Sequence, residues 1–327
     1  MDVKLEIKKR ADFFNGQLEK FLKEGHPKKL YEAVRHLPIG GGKRLRPCMA
    51  MISCEAVKGD VVKVIPLAIS LELIHSFTLV HDDIMDKSKL RRNLPTVHVR
   101  YGEPTAIIAG DLLFTKAFES MHNTSGDCSI FKNVELGLVD CVREICEGQQ
   151  LDMEFEVRQI VSEDEYLEMI RKKTAVFFQF SAEAGAILGG GTRDETIALN
   201  EYGLCLGLGF QIWDDYLDIS SNEQILGKDI GNDIRNGKKT LIAVHCLNNA
   251  AGEDKKLLQK IFGNEKATEQ DIRQVFDLFK KVGSIEYAKN TALSYCTEAK
   301  KAVNVLKDSE AKQLLFELAD YSVSREK

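Results

Sequence analysis

The chain is poor in proline and lacks any sustained strand-like alternation. Only 6 of its 327 residues are Pro, so few positions forbid a helix interior, where the missing N–H and the ring clash break the hydrogen-bond ladder. Gly, at 24 residues, is too sparse for a collagen-like or low-complexity chain. Charge of one sign is lacking too: 45 Lys+Arg against 50 Asp+Glu leave a formal net charge of −5. That excludes the broad basic footprint of a general nucleic-acid binder, though not a local basic site. The 8 cysteines form no C-x-x-C pair and no zinc-like spacing with His. Several, such as Cys205 between Leu204 and Leu206, sit among apolar residues, where a reduced thiol behaves as a small hydrophobe. The N-terminus, Met1-Asp2-Val3-Lys4, has no apolar h-region. The most apolar run, Val61 to Val80, is interrupted by Lys63, Pro66, Glu72 and His75 and is too polar for a bilayer span. These absences point to a reduced, cytoplasmic protein without a membrane span.

What is present is helical periodicity. Segments 6–24, 28–37, 46–57, 61–86, 104–121, 128–158, 164–188, 194–219, 239–248, 255–263, 268–281, 284–306 and 309–324 all fit amphipathic or buried helices. Leu94 to Val99 reads as a short extended piece. Breaks fall at Gly40–Gly42, Lys58–Asp60, Asn123–Asp127, Gly189–Gly191 and Asn222–Gly237, and none resembles an interdomain linker. With 44% hydrophobic residues and no short repeat, the pattern predicts a single all-α domain over 1–327, a large helical bundle around a central cavity.

One element recurs. Asp82-Asp83-Ile84-Met85-Asp86 and Asp214-Asp215-Tyr216-Leu217-Asp218 start 132 positions apart (82 to 214), and each ends an apolar helix. Residues i and i+4 share a helix face, so Asp82 projects with Asp86 and Asp214 with Asp218. Like charges this close, near a helix C-terminus, destabilise unless a cation neutralises them. Hard oxygen donors without His or Cys indicate Mg²⁺ or Mn²⁺, and Mg²⁺ on carboxylates completes its octahedron with water and phosphate oxygens. The clusters therefore predict a metal-bridged diphosphate. Ala68, Leu71, His75, Thr78, Asp82 and Asp86 form one helical stripe, and Gly203, Gly207, Gln211, Asp214 and Asp218 another. Facing one another, they would line a cavity with carboxylates at its mouth and small or apolar residues below, suited to a charged head and a hydrocarbon tail.

Cations complete the pattern. Gly40-Gly41-Gly42-Lys43-Arg44-Leu45-Arg46-Pro47 puts three of them at a helix start, where backbone N–H groups and the dipole favour phosphate. The spacing is not that of a Walker A loop. Arg91-Arg92 follows the first cluster, Lys172-Lys173-Thr174 lies on an otherwise apolar helix, and Lys228 and Lys238 follow the second cluster.

In this order the motifs resemble those of the trans (head-to-tail) isoprenyl diphosphate synthases, or polyprenyl synthetases, of the short-chain archaeal geranylgeranyl type. The resemblance spans Gly41 to Lys238 and essentially the whole chain, with one departure: Asn93 stands where the family often has Gly, which puts that loop's backbone in question. It implies the isoprenoid-synthase fold, a homodimer, and three Mg²⁺, two on Asp82 and Asp86 and one on Asp214. Asp83, Asp215 and Asp218 would support them. It further implies that Arg91, Lys173, Thr174, Gln211, Lys228 and Lys238 bind an allylic diphosphate (dimethylallyl, geranyl or farnesyl). Lys43, Arg46, His75 and Arg92 would bind isopentenyl diphosphate. The reaction implied is ionisation, condensation and elimination, needing no Ser or Cys nucleophile. Phe77, five residues before Asp82, would act as a floor on the product with Thr78 and Ile74 beside it; small Thr78 next to aromatic Phe77 favours C20 over C15 or C25. The alternatives are a class I terpene cyclase and a non-catalytic subunit of a heteromeric synthase.

Overall fold

The computed structural model describes residues 2–124, 127–220 and 228–325; the side chains of 220, 228–230 and 232 lie outside the described set. The helices run in order α1 (Val3–Phe21), α2 (Lys28–Ile39), α3 (Leu45–Ala56), a 3₁₀ turn (Val61–Val64), α4 (Ile65–Met85), α5 (Val97–Tyr101), α6 (Glu103–Met121), α7 (Cys128–Val157) and α8 (Glu163–Ile170). A π-helical turn (Arg171–Ala175) then leads into α9 (Val176–Leu188), α10 (Arg193–Ser220), α11 (Lys228–Asn236), α12 (Leu241–Asn249) and α13 (Gly252–Ile261). α14 (Glu269–Lys281), α15 (Ser284–Ala302), a 3₁₀ turn (Val303–Val305) and α16 (Glu310–Ser322) complete the order. Paired strands among the described residues are confined to a hairpin of β1 (Leu90–Arg91) and β2 (Leu94–Pro95). The all-α expectation holds.

The prolines show why so few breaks occur. Pro27 is the N-cap of α2, Pro38 lies in its last turn, Pro47 in the first turn of α3, and Pro66 and Pro104 open α4 and α6. Pro95 ends the hairpin. Only Pro38 lies beyond the first turn of a helix, one residue before the end of α2; the others sit at helix starts or in the hairpin, where little of the ladder is lost. Helix starts carry their own donors' partners: Ser162 and Thr268 make capping boxes with Glu165 and Asp271, and the Thr240 side chain accepts from the Ala243 amide.

Three sequence expectations need correction. The extended piece at Leu94–Val99 ends at Pro95, and Val97–Tyr101 is helical. The break at 222–237 contains α11, whose Gly, Asn and Asp residues have low intrinsic helix propensity and read as a loop. The helix read over 164–188 is interrupted by the π turn, a local change of register that a 3.6-residue pattern does not reveal. As for the thiols, Cys48, Cys54, Cys141, Cys205, Cys246 and Cys296 are buried, whereas Cys128 and Cys146 are exposed; burial pushes the Cys48 thiol up to about 12.

Two compact units are distinguishable. The first comprises Met1–Val139, Phe180–Leu199 and Val305–Leu315; the second comprises Asp140–Gln179, Asn200–Asn304 and Phe316–Lys327. In the first, α4 is the core helix. With the turn before it, α4 is long and apolar enough to cross a membrane, yet 67% of its apolar window is buried inside the protein. Close packing in this unit depends on small residues: a Cβ on Gly185 of α9 would lie 2.2 Å from the Ala50 carbonyl oxygen of α3. In the second unit, a Cβ on Gly148 of α7 would lie 2.3 Å from the Lys173 backbone nitrogen, so α7 presses directly on the π turn.

Candidate active site

The first aspartate cluster ends α4. The Asp86 amide donates to the Asp82 carbonyl at 2.8 Å, so helical geometry persists through Asp86 and keeps Asp82 and Asp86 on one face. Exposure rises along the stripe read from sequence: Ala68 and Leu71 are fully buried, His75, Thr78 and Asp82 are half-buried, and Asp86 is exposed. Asp83 points elsewhere. It is buried and receives the Arg91 Nε at 2.9 Å, while Arg91 Nη2 lies 3.5 Å from Asp82. Burial raises the Asp83 pKa, and Arg91 opposes that rise.

Arg91 and Arg92 sit on the hairpin. Arg92 (φ +54°) and Asn93 (φ +62°) are both left-handed, as a two-residue type I′ hairpin turn requires. Asn enters this region more readily than most residues, so Asn93 serves where Gly is usual without changing the turn. The turn aims Arg92 at the glycine triplet: its Nη1 donates to the Gly41 carbonyl, and a Cβ on Gly42 would lie 2.6 Å from that guanidinium. Gly41 and Gly42 both take positive φ, so only glycine fits here without strain.

The cations of the triplet region separate. Lys43 is exposed at the start of α3, and Arg46 Nη1 lies 3.3 Å from His75 Nε2. Arg44 turns inward instead, which the sequence did not distinguish. It pairs with Glu72, donates to the Pro38 carbonyl and reaches Asn15 Oδ1 at 2.9 Å, with both partners of the ion pair almost wholly buried. Burial, and then Arg46, Arg92, Arg91 and Arg44 in that order, push the His75 pKa well below its ordinary value. Arg44 and Arg91 are already paired with carboxylates, whereas Arg46 faces the imidazole directly and Arg92 is turned onto the Gly41 carbonyl.

Below the aspartates, Phe77 packs edge-on against His81 (4.9 Å) and tilted against Phe114 (5.4 Å), which in turn meets Phe118 (5.1 Å). Thr78 Oγ1 donates to the His75 carbonyl at 2.9 Å, and Ile74 is buried.

The second cluster lies in the second unit, on α10. Asp215 is buried between two donors: Tyr166 Oη at 3.1 Å and Gln211 Nε2 at 3.3 Å. Gln211 accepts in turn from Thr174 Oγ1 at 3.0 Å. Burial raises the Asp215 pKa to about 7 against the opposing charge of Lys238. Lys173 Nζ meets Asp152 at 2.5 Å, and Lys238 lies 3.7 Å from Asp233. Arg171 and Lys172 face other partners, Glu144 at 2.7 Å and Glu147 at 2.7 Å. The Lys228 side chain lies outside the described residues. Tyr166, Asp152 and Arg325 (paired with Asp214) are structural partners that the sequence did not announce; each is remote from its partner along the chain and carries no local motif.

The glycine stripe requires correction. A Cβ on Gly203 would lie 2.6 Å from the Phe178 carbonyl oxygen, and one on Gly207 would lie 2.6 Å from Ala175 Cα. These glycines admit the neighbouring backbone of the π turn and α9; they do not widen a cavity.

Lys239 turns away from Lys238. It is 4% exposed, donates to the Gly237 carbonyl at 2.7 Å and lies 5.0 Å from the Phe262 ring centroid. Burial lowers its pKa from 10.5 to about 8. Between those values the unfolded chain binds the extra proton, so stability rises with pH across that window and the full burial penalty applies below it. Relative to Lys239→Met, the wild type should gain roughly 1–2 kcal/mol between pH 8 and pH 10.5, after discounting for screening. Urea unfolding of both proteins at the two pH values measures it, and a flat difference would refute it.

Among the described residues no three His, Cys, Asp or Glu groups converge into a closed metal cage. The donors at each cluster are carboxylate oxygens alone. Such a set fits a hard divalent ion that keeps water and phosphate in its remaining positions.

Comparison with known proteins decides the family. The polyprenyl synthetase family model matches residues 27–279. The chain belongs to the polyprenyl synthetase family. It is 42% identical over 322 residues to the geranylgeranyl diphosphate synthase of Methanosarcina mazei, covering 98% of this chain and 97% of that protein. It is 46% identical over 324 residues to the geranylgeranyl pyrophosphate synthase of Geoglobus acetivorans, covering 98% of each. The crystal structure of geranylgeranyl pyrophosphate synthetase from Pyrococcus horikoshii superposes with a TM-score of 0.93 at 42% identity, over 99% of this chain and 98% of that one. The resemblance read from the motifs therefore holds over the whole length of this family member.

Proposed function

We propose that this polyprenyl synthetase condenses isopentenyl diphosphate with allylic diphosphates to a short-chain all-trans product, geranylgeranyl diphosphate (C20). The enzyme class rests on the family and on relatives named for that product. The observation that carries the two-substrate reading is a second cationic group apart from the Arg91–aspartate contacts: Arg46 lies 3.3 Å from His75, and Arg92 is held on the Gly41 carbonyl beside exposed Lys43. A terpene cyclase ionises one diphosphate and needs no second cationic site. Both aspartate clusters are intact, which disfavours a non-catalytic subunit.

In this reading the 1–327 chain acts as one domain. Asp82, Asp86 and Asp214 hold Mg²⁺, with Asp83, Asp215 and Asp218 in support. Mg²⁺, when bound, supplies Lewis-acid stabilisation of charge developing on the departing diphosphate. Arg91, Lys173, Thr174, Gln211, Lys228 and Lys238 bind and neutralise the allylic diphosphate as its C–O bond breaks with the electron pair on oxygen. Lys43, Arg46, neutral His75 and Arg92 orient isopentenyl diphosphate, whose double bond attacks the allylic cation. Loss of a proton to the released pyrophosphate restores a double bond. Incubation with farnesyl diphosphate, with and without isopentenyl diphosphate, tests the class: hydrocarbon release without the second substrate would overturn it. Apolar side chains exposed on α6 and α7 (Ile107, Ile108, Leu136, Val139) support a homodimer.

Phe77, with Ile74 and Thr78, sets product length. Five residues of helix place Phe77 about 7.5 Å below Asp82, and its ring is backed by Phe114. Phe77→Ala should shift the main product by one or more C5 units. Chromatography of the dephosphorylated alcohols reads the outcome, and an unchanged C20 product rejects Phe77 as the floor.

A further inference from the structure

We infer that Arg325 is a positioning residue that fixes the Asp214 carboxylate for metal. The inference rests on the proposed reading of Asp214 as a metal ligand. Arg325 lies just beyond α16, within the second unit. Its amide donates to the Tyr321 carbonyl at 3.2 Å, and its carbonyl accepts from Trp213 Nε1 at 3.4 Å, which pins the main chain beside the residue preceding Asp214. The side chain is 3% exposed. Its guanidinium carbon lies 3.6 Å from the Phe210 ring centroid, and Nη2 donates both to the Phe210 carbonyl (3.3 Å) and to Asp214 Oδ1. Phe210 and Asp214 are one turn apart on α10, so a rigid planar group spans that turn. Asp214 itself stays 43% exposed.

This is a poor arrangement for stability. Arg325 Nε is buried without a hydrogen-bond partner. A carboxylate left partly in water returns less of the cost of desolvating a guanidinium than a buried partner would. For orientation it is well made: an aromatic clamp fixes the guanidinium that donates to the carboxylate, which stays partly accessible. Groups that hydrogen-bond metal-ligating carboxylates orient them, and removing such a group typically weakens metal binding tenfold to a hundredfold. Charge alone acts the other way. A guanidinium beside the ligand repels an incoming cation, so an electrostatic role predicts tighter metal binding when Arg325 is removed. The sign of the effect separates the two.

The test uses the full chain with inorganic pyrophosphate and Mn²⁺, counting free Mn²⁺ by its electron paramagnetic resonance signal. Arg325→Met should bind the Mn²⁺ that depends on Asp214 about tenfold to a hundredfold less tightly than wild type. Arg325→Lys, which keeps the charge but not the fork, should fall between them. Asp214→Asn should lose that ion altogether. Thermal melts establish that each variant is folded; if Arg325→Met does not fold, Arg325→Lys and Arg325→Gln carry the comparison. Unchanged or tighter binding in the Arg325 variants beside a weakened Asp214→Asn overturns the inference alone. Equal binding by wild type and Asp214→Asn removes Asp214 as a ligand, and the inference goes with it.

Discussion

Asp82→Ala is expected to lower the rate of condensation about 10³-fold or more while leaving a folded protein. Asp82 stands on the same helical face as Asp86, at the C-terminal end of α4, where the dipole disfavours its charge. Removing it therefore relieves repulsion within the cluster, and the cost of its 3.5 Å contact with Arg91 is that of a partly exposed ion pair. Stability should change by well under about 1 kcal/mol. Activity responds to a different quantity. Lewis-acid stabilisation of a departing diphosphate is worth several kcal/mol, and each 1.36 kcal/mol is a factor of ten in rate. Single-turnover assays with geranyl and isopentenyl diphosphates, alongside thermal melts, measure both. Near-normal turnover in a folded Asp82→Ala protein would sink the metal assignment.

The aspartate clusters were legible because their geometry is local. An i, i+4 pair shares a face whatever surrounds it, and α4 and α10 supply the helix. The all-α fold was legible for a similar reason: every proline falls at a helix end or in the hairpin, so periodicity runs unbroken between them. What stayed hidden depends on tertiary partners. Nothing in Lys43-Arg44-Leu45-Arg46 separates the inward Arg44 from the outward Lys43; only the buried Glu72, in a different helix, makes the difference. The small stripe Gly203/Gly207 reads as cavity lining because sequence gives phase but not the neighbour that fills it, here the backbone of Ala175 and Phe178. The π turn at Arg171–Ala175 lets Lys172 reach Glu147 and Lys173 reach Asp152, and a periodic reading cannot anticipate such a shift of register.

Arg44 tests that distinction with the largest expected effect on stability. Arg44 and Glu72 are 2% and 3% exposed at the side chain, so Arg44→Met strands a carboxylate in the core of the first unit. Loss of one partner of a buried pair costs about 3–5 kcal/mol, because the remaining charge has neither water nor a counterion. Burial already raises the Glu72 pKa, with Arg44 as the main opposing charge. Without Arg44 that pKa climbs further. The folded state then binds a proton the unfolded chain does not, and the variant's stability falls as pH rises from the unfolded value near 4.5 toward the raised one. Replacing both partners, as Arg44→Met with Glu72→Leu, should restore most of the loss, since apolar groups of similar volume tolerate the site. A double-mutant cycle from urea unfolding gives the coupling directly. Arg46→Met, two residues along but 3.3 Å from His75, should instead leave the unfolding midpoint nearly unchanged and raise the KM for isopentenyl diphosphate. If Arg44→Met unfolds normally and shows that KM effect itself, the two arginines have been assigned the wrong way round.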